Sequence, residues 1–204
     1  MTIQINYQSK MKHLQTGVDI FFVEENFNIS DLKKHISNKE FFYISDLLKN
    51  SDLKKNLLFF EVNSKKTIFL VSIKKNSETS DIENLGAEFH GYINYSKKNE
   101  YFIKSDAVSS KFKNFIGYFL HGVKLKSYQF NIYKSKKDKK LVSINLIGNK
   151  NKLSIQNELR FKAIEEGTFF ARDLVSEPPN VLNPKEYVNR LLKLRKLGIK
   201  VTVY

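Results

Sequence analysis

Four histidines, His13, His35, His90 and His121, are the side chains best suited to bind a metal or move a proton near neutrality. None stands three or four residues from another, the spacing by which one helix face offers two imidazoles to one ion. His90 and His121 fall near the ends of predicted helices and read as capping or surface groups. Asp173 and Glu177 lie four apart on a predicted helix, so they share a face and could do paired carboxylate chemistry; Glu165-Glu166 lies on the same helix. Solvation, or an ion pair with Arg172 or Arg160, is the commoner use of such acids. No Gly-x-Ser-x-Gly elbow accompanies the many serines. Cysteine is absent, which removes thiolate ligands and disulfides and fits a reducing compartment. The expectation is therefore no catalytic, cofactor-binding or metal-ligating residue in this chain.

Charge is the next feature with functional content. The 204 residues carry a net charge of +14. The first hundred residues hold 14 Lys against 13 acids, so nearly all the excess lies beyond them. The stretch 97–152 is the most basic, with Lys134, Lys136, Lys137, Lys139 and Lys140 around one apparent turn. Such a patch could grip nucleic acid through counterion release. It contains no Arg, the side chain preferred for bidentate phosphate contacts, so a solvated lysine surface is the favoured reading. No apolar run approaches the roughly 18 residues of a membrane span, and the first fourteen residues lack the apolar core of a secretory signal. Cytoplasm is the expected location.

These side chains must be positioned by a folded core, for which 17 Phe and 10 Tyr supply ample apolar area. Segments 3–7, 18–23, 57–62, 67–73, 100–104 and 140–147 read as strands, short and rich in β-branched and aromatic residues. The polar stretch Asn63-Ser64-Lys65-Lys66 predicts a hairpin between the third and fourth. Between strands, Phe41, Ile44, Leu47 and Leu48 mark one helix. Ser80 and Glu83 suggest a capping box opening a second, with Ile82, Leu85, Phe89 and Ile93 along its stripe. A third, beginning near Ser109, carries Phe112, Phe115, Ile116, Phe119, Leu120 and Val123. Strands alternating with helices predict an α/β fold, a mixed sheet flanked by helices.

The last quarter differs. A long helix is expected over 154–175, sustained by Ile155, Leu159, Ile164, Phe170, Ala171 and Leu174. Gly167 costs it about 1 kcal/mol, and Pro178-Pro179 ends it. Asn183, Pro184 and Glu186 start another helix cleanly, and Gly198 can stop it in the left-handed conformation. Residues 199–204 alternate as a strand. With no partner strand after it, the pattern suggests that a second domain begins near residue 178 and is cut off; a final edge strand on the first sheet is the competing reading.

Two segments carry a family resemblance. Gly122-Val-Lys-Leu-Lys-Ser-Tyr-Gln-Phe-Asn-Ile-Tyr-Lys-Ser-Lys-Lys137 is similar to the stretch of leucyl (cytosol) aminopeptidases in which a helix ends before Ser-Tyr-x-Phe-Asp-x-Tyr-Lys-Ser/Thr. Tyr128, Phe130, Tyr133, Lys134 and Ser135 stand at the matching places. Residues 171–184, Ala-Arg-Asp-Leu-Val-Ser-Glu-Pro-Pro-Asn-Val-Leu-Asn-Pro, resemble the family's Ala-Arg-Asp-Leu-Val-Asn-Glu-Pro-Pro-Asn-x-x-Thr-Pro, which joins an interdomain helix to the catalytic domain.

The resemblance implies an N-terminal α/β domain over 1–150, similar to macro domains, an interdomain helix over 151–177, and the start of a truncated peptidase domain over 178–204. It implies a cytoplasmic, hexameric metallopeptidase as parent, releasing N-terminal residues with two divalent ions such as zinc, manganese or magnesium. The family's metal-binding segments, of the type Val-Gly-Lys-Gly…Phe-Asp-x-Gly-Gly and Asn-Thr-Asp-Ala-Glu-Gly-Arg, do not occur here, so this chain is expected to be inactive by itself. Its role would be scaffold, subunit contact and control of active-site access, with its own catalytic domain and further copies as partners. Macro domains bind ADP-ribose in some other proteins, but Ser72-Ile73-Lys74 stands where a glycine-rich phosphate loop would be needed, so no nucleotide is expected. A basic nucleic-acid-binding module and a naturally shortened, inactive paralogue remain the alternatives.

Overall fold

The computed structural model describes residues 2–8, 17–107, 114–135, 140–148 and 153–203. Six strands form one sheet: β1 (Thr2–Gln8), β2 (Gly17–Glu24), β3 (Leu57–Glu61), β4 (Lys66–Ile73), β5 (Glu100–Lys104) and β6 (Leu141–Ile147). Their order is β1-β6-β5-β2-β4-β3, parallel throughout except for β3, which runs antiparallel to β4. The expected hairpin is thus present, and its turn has a clear cause. The Asn63 side-chain oxygen accepts from the backbone N–H groups of Lys65 and Lys66, each at 2.9 Å.

The helices are α1 (Asn38–Lys49), α2 (Thr79–Tyr95), α3 (Phe115–Lys126), α4 (Ile155–Ser176) and α5 (Pro184–Leu192). On one face, α2 and α3 bury Ile82, Leu85, Phe89, Ile93, Phe115, Ile116, Phe119, Leu120 and Val123 against Val18, Ile20, Phe22, Tyr101, Ile103 and Ile144. The other face packs Phe21, Val23, Ile68 and Leu70 under α1 and two short 3-10 turns, through Phe27, Leu32, Ile44 and Leu48. Because β2 and β4 are covered on both sides, they read as continuous apolar runs rather than alternating ones. Each fully buried Phe or Ile contributes about 1.5–3 kcal/mol of burial.

Two helix starts differ from expectation. The N-cap of α2 is Glu78, whose backbone N–H donates to Asp81 Oδ2 at 2.9 Å, not Ser80; Glu83 is turned to another partner, described below. Helix α3 opens at Phe115, after Asn114 in the left-handed region (φ 60°), which interrupts any helix arriving from upstream. The expected start near Ser109, and Phe112, lie outside the described residues. Where α2 and α3 cross, glycines replace side chains: a Cβ on Gly86 would lie 2.0 Å from Phe119 O, and one on Gly122 1.9 Å from Glu83 O.

Helix α4 runs unbroken through Gly167 and buries no residue completely. The face it turns inward is not the one its aliphatic residues suggest. Phe161 and Phe169 pack on α3 and the loop after it, whereas Ile155 and Leu159 are 77% and 62% exposed. Helix α5 is capped as expected, Asn183 Oδ1 accepting from Glu186 N–H at 3.0 Å with Pro184 in the first turn. Glu186 itself pairs with Arg190 rather than closing a capping box. Gly198 takes the left-handed stop (φ 81°). The strand expected over 199–204 does not form among the described residues: 199–203 join none of the six strands. An alternating pattern becomes a strand only where a ladder partner accepts its hydrogen bonds.

Candidate functional site

The two segments that carry the family resemblance meet in space. Tyr128, just past the end of α3, donates its hydroxyl to Asp173 Oδ1 at 2.8 Å, and its ring lies 5.2 Å from that of Phe169. The Arg172 guanidinium stacks 5.5 Å from the same ring and donates to Leu125 O at 2.5 Å, one of the orphan carbonyls at the C-terminal end of α3. One turn further along α4, Tyr133 donates to Glu177 Oε2, and Arg190 of α5 donates to Glu177 Oε1 at 2.8 Å and to Glu186 Oε1 at 3.1 Å. Four elements are therefore joined: the end of α3, the loop 127–135, the end of α4, and α5.

The i, i+4 pair Asp173 and Glu177 thus spends its oxygens on two tyrosines and an arginine, not on paired acid–base chemistry. The bond from Tyr133, and then the Arg190 guanidinium, hold the Glu177 carboxyl below the usual carboxylate range. Tyr133 is raised in turn, first by its bond to Glu177. Tyr128 is raised first by burial and then by Asp173. A Glu177 carboxyl shifted down and phenols shifted up suit a lasting polar junction. Expectation had Arg172 or Arg160 as ion-pair partners; the pairing arginine is instead Arg190, which sequence distance alone could not single out. Tyr128 and Tyr133 are both engaged in this junction through their hydroxyls.

His90 and His121 are buried inside α2 and α3, 7% and 5% exposed, and not at surface caps. His121 Nδ1 lies 2.7 Å from Glu83 Oε1, a link across the α2–α3 crossing, and its ring faces Phe161. Burial, and then the positive charge of Lys126, push the His90 imidazole below its ordinary value. His35 sits 6.5 Å from the Phe21 ring; His13 lies outside the described residues. Among the described residues no group of three or more His, Asp or Glu is placed to hold a metal ion. The described residues do not fit the two-ion site that the family resemblance implies for a parent enzyme.

The basic stretch is partly spent on the fold. Lys140 Nζ donates to Ile93 O and Ser96 O, each at 2.6 Å, closing the C-terminal end of α2, where a cation is favoured. Lys124 Nζ donates to Ile3 O at 2.7 Å. Lys104 and Lys66 approach the buried Asp19 at 3.5 and 3.8 Å, and Lys66 also bonds Glu40 Oε1 at 2.6 Å. Lys136, Lys137 and Lys139 lie outside the described residues. At the C-terminal end of β2, where ligands of open parallel sheets collect, a cavity of ≈ 100 Å³ is lined by Phe21, Glu24, Asp31, Leu32 and His35. Two carboxylates and no glycine line it, the reverse of a phosphate cradle.

Comparison with known proteins places this arrangement. No family model matches the chain. A probable cytosol aminopeptidase of Methylobacterium radiotolerans is 36% identical over 92 residues, 43% of this chain and 18% of that protein. One of Afipia carboxidovorans is 39% identical over 87 residues, 41% and 17% of the two chains. One of Phytoplasma mali is 36% identical over 119 residues, 54% and 23%. Among solved structures, a tomato leucine aminopeptidase mutant superposes with a TM-score of 0.71 at 18% identity, covering 96% of this chain and 42% of that one. The bottromycin maturation enzyme BotP, solved in complex with Mn, gives 0.62 at 13%, covering 93% and 38%.

The fold is thus the mixed α/β fold of the matched part of the tomato leucine aminopeptidase, a six-stranded sheet flanked by helices. The resemblance of the chain to leucyl (cytosol) aminopeptidases is shown by sequence relatives and by fold together. The matched stretch spans less than a quarter of each curated relative's length.

Proposed function

We propose that this chain is the non-catalytic N-terminal region of a metal-dependent leucyl aminopeptidase, and that it serves as the scaffold on which the peptidase part is mounted. Residues 1–150 form the α/β body, 151–177 the connecting helix, and 178–204 the start of the catalytic unit. The observation that carries the reading is the meeting of its two family-like segments: Tyr128 and Tyr133 bond Asp173 and Glu177, at the joint where body and continuation touch. Support for the peptidase class comes from the cytosol aminopeptidase relatives, and for metal use from the Mn complex of BotP. Peptides as substrate, two divalent ions, a hexameric assembly and a cytoplasmic location are proposed for the full-length protein with that reading. No helix of the described residues is long and apolar enough to cross a membrane.

A graft tests the scaffold role. The Phytoplasma mali cytosol aminopeptidase is produced without its N-terminal region, and again with residues 1–177 of this chain fused in its place. The fusion is expected to be soluble and to hydrolyse leucine-p-nitroanilide with Mn²⁺. Equal activity of the shortened enzyme without any graft would show the scaffold to be dispensable and overturn the proposal.

A further inference from the structure

No residue from 177 to 203 is fully buried, and α5 packs chiefly on the 3-10 turn Lys193–Leu197 that follows it. Hydrophobic burial, the ordinary glue between elements, is only partial here: Val181, Leu182, Val188, Leu191, Leu192 and Leu194 are half-buried. Val175, Leu197 and Val203 are 87%, 75% and 51% exposed. A nine-residue helix is too short to persist on its own in water, because nucleation costs more than so few bonds return. Partial apolar packing therefore leaves room for polar contacts to help fix how α5 is oriented.

Glu177 is the side chain placed to do this. It lies at the hinge, immediately before Pro178-Pro179, and its side chain is only 2% exposed although the segment around it is open. One carboxylate oxygen takes the Tyr133 hydroxyl from the body of the fold; the other takes Arg190 from the middle of α5. Arg190 is fixed in turn by Glu186, one turn earlier on the same helix. The path from body to α5 thus runs through one carboxylate with two differently directed oxygens. The prolines limit the backbone at the next two positions, so the carboxylate has few competing geometries to exclude.

We propose that Glu177 is a positioning residue, a latch that fixes the orientation of residues 178–203 against the α/β body, and that its loss frees this segment without unfolding the sheet. The claim concerns the joint and holds whatever the protein's activity. The test is amide hydrogen exchange on the 204-residue chain, comparing wild type with Glu177→Gln, Tyr133→Phe and Arg190→Met. Opening free energies differ between parts of a protein, and exchange reads them locally. Amides of 184–197 should exchange at least about tenfold faster in Glu177→Gln and Arg190→Met, while those of β2, β4 and β5 keep their wild-type rates. Tyr133→Phe, which removes one of the two oxygen contacts, should give a smaller change in the same amides. Unchanged protection of 184–197 in both Glu177→Gln and Arg190→Met overturns the proposal. So does a parallel loss in the sheet, which would make Glu177 a general stability residue.

Discussion

Replacing Gly122 with alanine sets one methyl group against the backbone of a neighbouring helix. A Cβ at this position would stand 1.9 Å from Glu83 O, 2.7 Å from its carbonyl carbon and 2.8 Å from its Cα. A tolerated carbon–oxygen approach is about 3.3–3.6 Å, so α2 and α3 would have to separate by roughly 1.4 Å along that line. The obstacle is backbone, so no rotamer change relieves it. Overpacking costs about 1–3 kcal/mol, and this contact belongs at the upper end. Alanine returns about 1 kcal/mol of helix propensity. The net loss is about 2 kcal/mol, a fall in Tm of about 4–8 °C for a chain of this size. The matched control is Gly167→Ala, on the open side of α4, where a Cβ meets nothing within 4 Å. It keeps the propensity gain without the clash and should raise Tm by about 2–4 °C. Thermal unfolding followed by circular dichroism measures both. A Gly122→Ala protein as stable as wild type would refute the close-crossing argument, as would the two substitutions shifting Tm in the same direction.

Further predictions concern charge. The folded state holds His90 below its ordinary value, so the unfolded chain binds more protons there as pH falls. Stability supplied by the neutral ring is complete above the unfolded value of about 6.5 and declines as pH drops towards the folded one. Urea midpoints should therefore fall between pH 7 and pH 5, and His90→Leu should flatten that slope; an unaltered slope in the variant counts against the assignment. Lys140→Met removes the cation from the last carbonyls of α2 and should cost about 1.5–3 kcal/mol in urea unfolding; a loss below about 0.5 kcal/mol would mean the lysine is merely solvated. Duplex DNA titrated at about 50 and 200 mM salt should show no micromolar affinity. Tight binding that falls steeply between those salts would favour the nucleic-acid module instead.

Much of this architecture was legible because it rests on local signals. All six strands fall within a residue or two of the segments marked by aromatic and β-branched runs, most plainly β2 and β4, where burial on both faces leaves little else to read. The stripes of α1 and α2 were equally plain: Ile44, Leu48, Ile82, Leu85, Phe89 and Ile93 are all buried. What failed depends on contacts across the chain. Ser80 looked like a cap, but Glu83, its would-be partner, is taken by His121 38 residues away. Helix α4 has two apolar faces, and only tertiary structure decides that Phe161 and Phe169 turn inward while Ile155 and Leu159 face out. Asp173 and Glu177 were visible as an i, i+4 pair, yet nothing local marks Tyr128, Tyr133 and Arg190 as their partners. The alternation of 199–204 predicted a strand, yet 199–203 pair with no strand among the described residues.

On the proposed function, this polypeptide supplies the mount for a peptidase and not its chemistry. The direct measurement is leucine-p-nitroanilide hydrolysis by the purified 204-residue chain, with Mn²⁺ or Zn²⁺ added. Release of nitroaniline should be no faster than in buffer with the same metal. Turnover above that rate, retained through further purification, would contradict it.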